Sequence, residues 1–398
     1  MSYELDKSYQ ITIVHLITEL NMGGAEQMLH NLVRRMDRHR FRCFVVSMMD
    51  NGPIGKRIET EGIPVIALQM TPGRPTLKGF VDFHHFLRRE SIDIVQTWLY
   101  HSDLFGLITG KLAGVGRIVW GIRCSDMHFD LYGPLTFLTA QLGRILSSLP
   151  DGIIVNSVTG KEAHRRLGYR TRRMVLIPNG VDTKLFQPDK SARGWLLHFL
   201  GLPSDVSLIG LVARFDPMKD HVNFLRAASL VCRLDPSVHF VMVGKDIIAE
   251  NQTLAPFLNG CLKGRVHLLG PRTDIPRVTS ALDIASSSSA FGEGFSNTIS
   301  EAMSCGVPCV VTDVGDSGRI VGDTGVVVAP EDAGALSEGW LKLLRMDSNQ
   351  RRQLGGRARR RIVENFEIGK TVKRFEQFYQ EIMVPCTGFP DGNEVPIP

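Results

Sequence analysis

Residues Ile177 to Lys190 read IPNGVDTKLFQPDK, and two prolines around an Asn-Gly pair mark a turn-rich linker in the middle of the chain. Before it, short apolar runs rich in β-branched residues recur at 11–18 (ITIVHLIT), 42–48, 64–68, 92–97 (IDIVQT), 117–122 (RIVWGI), 152–156 and 173–177, with helical patterns between them. After it, the alternation restarts at 207–214 (SLIGLVAR), 239–244 (HFVMVG), 265–270 (RVHLLG), 282–287 (LDIASS) and 308–313 (PCVVTD). Strands that are apolar on both faces and alternate with helices build a parallel sheet covered on both sides. The expected fold is therefore α/β, with two doubly wound, Rossmann-like domains at 1–185 and 186–365. Residues 351–382 read as helical throughout, and the polar, proline-rich stretch 385–398 is expected to be disordered.

Composition narrows the class. A chain of 398 residues that is 43% hydrophobic and 22% charged belongs with ordinary globular proteins of about two domains. No window holds 18 consecutive apolar residues, and Glu4, Asp6 and Lys7 fall where a signal peptide needs an apolar run. A cytosolic location is expected. Seven cysteines without a C-x-x-C pair argue against a disulfide framework or structural zinc. Residues 1–185 hold 23 Lys and Arg against 17 Asp and Glu, a net of +6, which leaves −1 for the remainder of a chain whose total is +5. A basic half suits phosphate or an anionic membrane surface, and the absence of stacked-aromatic or zinc-finger signatures excludes nucleic acid as the expected partner.

In α/β sheets ligands bind beyond the carboxyl ends of the strands, so the loops that follow the strands carry the chemistry. The strongest signal is FGEGFSNTISEAMSCGVP, residues 291–308. Glu293 lies in a loop between Gly292 and Gly294, and Glu301 lies in a helix whose start is expected at Ser296 or Asn297, after Phe295. A helix N-terminus offers free N–H groups to an anionic phosphate, while carboxylates accept hydrogen bonds from sugar hydroxyls. In LVARFDPMKDH (211–221), Arg214 and Lys219 can converge on one diphosphate, with Pro217 opening the next helix. Gly23 and Gly24 follow the first strand without forming G-x-G-x-x-G, and the next strand ends in no acidic residue, which disfavours a dinucleotide oxidoreductase.

The E-x7-E arrangement GEGFSNTISEAMSCGVPCVVTDVG resembles the donor-binding signature of the family 4 retaining glycosyltransferases, which share the GT-B architecture, and the resemblance extends over nearly the whole chain. It implies that Glu301 binds the nucleotide ribose and that Glu293 contacts the donor sugar. Arg214 and Lys219 are similar to the family's R-x4-K pyrophosphate clamp, GGAE with Gly24 to its N-terminal motif, and NGVD (179–182) to its hinge. Arg272, in GPRTDIP, takes the position beside the nucleotide base. His101, in WLYHSDLFG, is the functional-histidine candidate, although this chain has Gln96-Thr97-Trp98 where many members have H-x-H. Trp98 is expected as an apolar platform on the acceptor side, and Arg123 as an acceptor-phosphate contact or an ordinary surface charge.

The resemblance implies transfer of a sugar from a nucleotide diphosphate donor, a UDP-sugar by expectation, to a hydroxyl on a glycan or lipid-linked acceptor with retention of configuration. Front-face attack, with the donor phosphate taking the acceptor proton, is the mechanism it carries. No metal and no cofactor are expected, the nucleotide sugar being a substrate. A UDP-N-acetylhexosamine 2-epimerase and a non-catalytic sugar-nucleotide-binding subunit remain as alternatives. The last helix, 366–383, is about 27 Å long and is expected to return to the N-terminal domain. The segment 131–149 (LYGPLTFLTAQLGRILSSL) carries one charge, Arg144. Either it packs on the first sheet, or with the basic surface it serves peripheral attachment at the inner face of a membrane.

Overall fold

The computed structural model describes residues 9–71, 76–125, 134–170 and 173–384. The expectations for 385–398, for the first residues of the chain and for the start of the 131–149 segment fall outside them. The chain divides into two compact units after Gly180 and again after Glu367, so that the final helix belongs to the first unit.

In the first unit β1 (Ile11–Ile17), α1 (Gly24–Val33), β2 (Phe41–Ser47), α2 (Gly52–Thr60), β3 (Val65–Ala67), α3 (Leu77–Arg89), β4 (Ile94–Trp98), α4 (Tyr100–Ala113), β5 (Arg117–Ile122), α5 (Pro134–Leu146), β6 (Gly152–Val155), α6 (Val158–Arg166) and β7 (Met174–Leu176) alternate along the chain. All seven strands run parallel, in the order β3-β2-β1-β4-β5-β6-β7. β4 is buried along its length and β1 at every residue but Thr12, because helices cover both faces of the sheet.

The second unit contains α7 (Ala192–Leu200), β8 (Ser207–Val212), α8 (His221–Leu234), β9 (Val238–Val243), β10 (Val266–Leu268), α9 (Ile275–Ser280), β11 (Ile284–Ser287), α10 (Asn297–Ser304), β12 (Cys309–Thr312), α11 (Ser317–Val321), β13 (Val326–Val328), α12 (Ala333–Leu344) and α13 (Ser348–Asn365). Its parallel sheet runs β10-β9-β8-β11-β12-β13. The helix α14 (Ile368–Met383) then closes the first unit, burying Ile368, Val372, Phe375, Phe378, Tyr379 and Ile382 with α1 and β1 residues.

The structure departs from the sequence reading in three places. The single helix expected over 351–382 is broken at Phe366-Glu367, because the Phe366 ring is drawn into the core against Phe295 and its carbonyl accepts from Val181 N at 2.8 Å. The three-residue edge strand β13 stands where the sequence reading placed no strand. Pro217 opens a 3-10 turn that stops at Lys219, and α8 starts only at His221. Asp216 caps that turn, and Asp220, in the left-handed region at φ 44°, re-caps the helix through Asn223 N at 3.0 Å.

α13 carries SNQRRQLGGRARRRIVEN, yet several of its arginines point inward. Arg351 donates to Leu344 O (2.9 Å) at the end of α12, Arg359 to Ser304 O at the end of α10, and Arg361 to Ile320 O (2.9 Å) and Arg319 O (2.7 Å) in α11. Each satisfies last-turn carbonyls that have no partner inside their own helix.

Candidate active site

Each sheet has one point where the chain order reverses, between β1 and β4 in the first unit and between β8 and β11 in the second. The loops leaving those strands hold the candidate residues, as expected for open α/β sheets.

In the second unit the loops after β8 and β11 are joined to each other. Ala290 N donates to Met218 O at 2.9 Å and Ser288 Oγ to Lys219 O at 2.8 Å. The Lys219 ammonium forms an ion pair with Glu293 Oε1, which also accepts from Ser289 Oγ at 2.7 Å. Burial pushes the Glu293 carboxyl up, but the Lys219 charge and its hydrogen bond, Ser289 and the charge of Arg214 together hold it below its ordinary value. It is therefore ionised although only 6% exposed. A third loop closes over it: Asp316 N donates to Gly294 O at 3.0 Å, and a Cβ on Gly315 (φ 60°) would lie 2.0 Å from Glu293 O, so no other residue fits there. Ser289 and Gly315 are supports that the motif reading missed. The serine run 286–289 at the end of β11 was the available signal.

Ser296 is the N-cap residue of α10, at the place expected, though its side chain makes no capping hydrogen bond. Phe295 is buried in the core, so only its backbone can serve the loop. Glu301 stands in the second turn of α10. Among the described residues nothing hydrogen-bonds its carboxyl, and burial pushes it up to about 8. Arg214 is half-exposed and binds Asp216 through Nη2 (2.9 Å) and Nε (3.2 Å). Arg272 makes a two-bond pair with Asp274 (2.7 and 2.6 Å) and lies over Phe199, 5.0 Å from the ring centre. Its guanidinium is committed to the protein, which leaves the loop backbone for a ligand.

In the first unit, α1 begins at Gly24 behind the extended Gly23. The buried Glu26 carboxylate folds back beside Gly23, where a Cβ would lie 2.2 Å from Oε2, and the sequence reading did not single this residue out. β4 passes into α4 through Leu99, a non-glycine at φ 75°. That conformation is held by Leu99 N to Gly121 O (3.1 Å), by Ser102 Oγ to Leu99 O (2.8 Å) and by Thr97 Oγ1 to the buried Asp103 (2.5 Å). His101 follows in the first turn of α4, half-buried, and burial holds its ring below the ordinary histidine value and therefore neutral at pH 7.

Trp98 is not a platform. It is 0% exposed, stacked on Phe375 of α14 at 6.2 Å, and donates from Nε1 to His15 Nδ1 at 3.3 Å. The returning helix covers the face that a sugar would need. Arg123 lies over the same indole, 4.0 Å from its ring centre, and donates to Asn179 Oδ1 at 3.1 Å. Its Nε and Nη2 are buried and without a hydrogen-bond partner, which is not the setting of a surface charge. Among the described residues no cluster of three or more His, Cys, Asp or Glu is placed to hold a metal ion.

Comparison with known proteins bears on this arrangement. Residues 22–185 match the model of Glycosyltransferase Family 4, and residues 207–346 match that of Glycosyl transferases group 1. The UDP-Gal:alpha-D-GlcNAc-diphosphoundecaprenol alpha-1,3-galactosyltransferase of Escherichia coli is 25% identical over 313 residues, covering 77% of this chain and 80% of that enzyme. The N,N'-diacetylbacillosaminyl-diphospho-undecaprenol alpha-1,3-N-acetylgalactosaminyltransferase of Campylobacter jejuni is 25% identical over 302 residues, covering 71% and 76%. The fold is shared with Anabaena Alr3699/HepE in complex with UDP-glucose, at a TM-score of 0.80 and 21% identity over 94% of this chain and 100% of that one. Two family models in chain order, on two doubly wound sheets, make this chain a member of the family 4 glycosyltransferases of GT-B architecture.

Proposed function

We propose that the enzyme transfers a hexose or N-acetylhexosamine from a UDP-sugar to a lipid-linked sugar diphosphate, with retention of configuration and without a metal ion. The observation that carries the donor half is the joined loop pair of the second unit. Lys219 and Arg214 supply positive charge beside the start of α10, while Glu301 has a carboxyl free to accept from ribose hydroxyls. Those cations and the helix start stabilise the leaving diphosphate. Glu293, fixed by Lys219 and Ser289, is set to orient the donor sugar. On the first unit His101 lines the acceptor side as a neutral hydrogen-bonding group, and Arg123 would meet an acceptor phosphate once its buried, unpaired N–H groups are uncovered. Retention follows the family's front-face route, with the departing phosphate taking the acceptor proton.

The lipid-linked acceptor is supported by the names of the Escherichia coli and Campylobacter relatives, both of which act on diphosphoundecaprenol-linked sugars. It places the enzyme at the membrane surface, and among the described residues no helix is long and apolar enough to cross a membrane. The test is incubation of UDP-sugars with and without polyprenyl-diphosphate sugars. A glycosylated lipid with a retained anomeric centre is expected, formed equally in EDTA. Free epimer without acceptor would replace this reading by an epimerase, binding without turnover by a sugar-nucleotide-binding subunit, and loss of activity in EDTA would end the metal-free part.

A further inference from the structure

α5 presents its residues the wrong way round for a core helix. Its buried face carries Thr139, Ala140 and Gly143, with Ser147 just past its end. Gly143 faces the Tyr169 hydroxyl, which would lie 2.7 Å from a Cβ there. The large side chains are left outside. At about 100° per residue Leu138, Leu142 and Ile145 fall in one narrow arc, and they are exposed, Leu138 at 52% and Ile145 at 64%, as is Leu149 in the turn after the helix. α4 packs beside α5 and exposes Ile108 and Leu112 one turn apart. Two packed helices thus each expose aliphatic side chains at helical spacing, unlike the scattered single aliphatics of ordinary surfaces.

Its rim is cationic. Lys111, Arg144, Arg165 and Arg170 are exposed, and Arg144 reaches to Gly168 beyond the end of α6, within 3.5 Å of where a Cβ would stand. Residues 134–149 contain no Asp or Glu, and the neighbouring acids Asp151 and Glu162 pair with Arg117 (3.8 Å) and Arg166 (3.5 Å). A second copy of the chain docked through this face would set like charges against each other. An anionic bilayer takes these aliphatic side chains at the headgroup boundary and offers phosphates to the cations.

We infer that the exposed face of α4 and α5 is the surface by which this enzyme docks on anionic lipid. The inference rests on the lipid-linked acceptor proposed above and gives that acceptor a physical route to the enzyme. The full chain is sedimented with phosphatidylcholine vesicles with and without phosphatidylglycerol. Binding should rise with phosphatidylglycerol and fall with salt. Leu142→Asp with Ile145→Asp should cut partition about tenfold or more, at unchanged melting temperature and UDP affinity. Arg144→Glu should remove mainly the part that depends on phosphatidylglycerol.

Wild-type partition by the folded double variant overturns the inference. A dimer that the double variant dissolves, without vesicle binding, gives the face to a second copy and overturns it as well. Partition is read without donor or acceptor, so the two readings fail separately. Transfer to lipid-linked acceptor by a protein that never binds vesicles removes only the docking surface. Vesicle binding through this face with no transfer to such an acceptor upholds the surface and removes only the acceptor.

Discussion

The loops after β8 and β11 and the loop after β4 were read from the same kind of sequence, a polar motif at a strand end, and they turned out differently. In the second unit Lys219 pairs with Glu293 just before the start of α10, while Arg214, expected beside Lys219 on one diphosphate, binds Asp216. In the first, Trp98 is sealed in the core, while His101 is half-buried at the start of α4. The difference is one of reach. Lys219 and Glu293 lie in the loops that leave neighbouring strands of one sheet, so the strand order delivers them to one place. Trp98 is covered by Phe375, from a helix at the other end of the chain, and no local pattern announces that contact.

Substitutions at Trp98, Lys219, Glu293, Glu301 and His101 put this contrast at risk. Trp98→Ala should cost about 3–5 kcal/mol of stability, read as a loss in urea melts. A variant of near wild-type stability with only a weakened acceptor KM would restore the platform and erase the contrast. Lys219→Ala leaves the Glu293 carboxylate buried without its cation and should cost about 3 kcal/mol, together with UDP binding. Adding Glu293→Gln should recover most of the stability and none of the binding, as thermal melts and calorimetry would tell. If the double variant binds UDP, the cation is structural only.

Glu301→Ala should weaken UDP by about 1.5–3 kcal/mol, ten- to a hundredfold, with the fold intact. The same group predicts a pH effect. The folded carboxyl titrates near 8 against an ordinary 4.5, so the native state keeps a proton that the unfolded chain gives up. Stability from this residue therefore falls as pH rises from 4.5 to 8, whereas UDP affinity rises as the carboxylate forms. Glu301→Gln should flatten the stability slope, and melts across that range would expose an error of sign. The smallest effect is expected for His101→Ala, a loss of about tenfold in transfer rate, near 1.4 kcal/mol, with UDP affinity unchanged. Full activity in the folded variant would return this histidine to a packing role.

Nearly all the strands were legible because they are buried on both faces and so read as unbroken apolar runs. β13, VVV at 326–328, escaped although β3, β7 and β10 are as short and as little buried and were read. The donor loops were legible because their charges sit at fixed short offsets from strand ends. Phe295 misled in the other direction: inside a functional motif, its side chain serves the core. Leu99 and Gly315 could not be read at all, since a positive φ at a leucine and a carbonyl pressed against a glycine are set by neighbours that only the folded chain brings together.

The arginines of α13 set a limit on how this domain can change. Arg351, Arg359 and Arg361 reach three different helix ends from one rigid rod. Their spacing works only at a single helical phase. One residue inserted between positions 351 and 359 would turn the later two by about 100°, swinging both off their carbonyls at once while every side chain is kept. Relatives should therefore vary in the loops around this helix before they vary in its length. An insertion scan along α13 should find it far less tolerant than its polar, surface-like composition suggests.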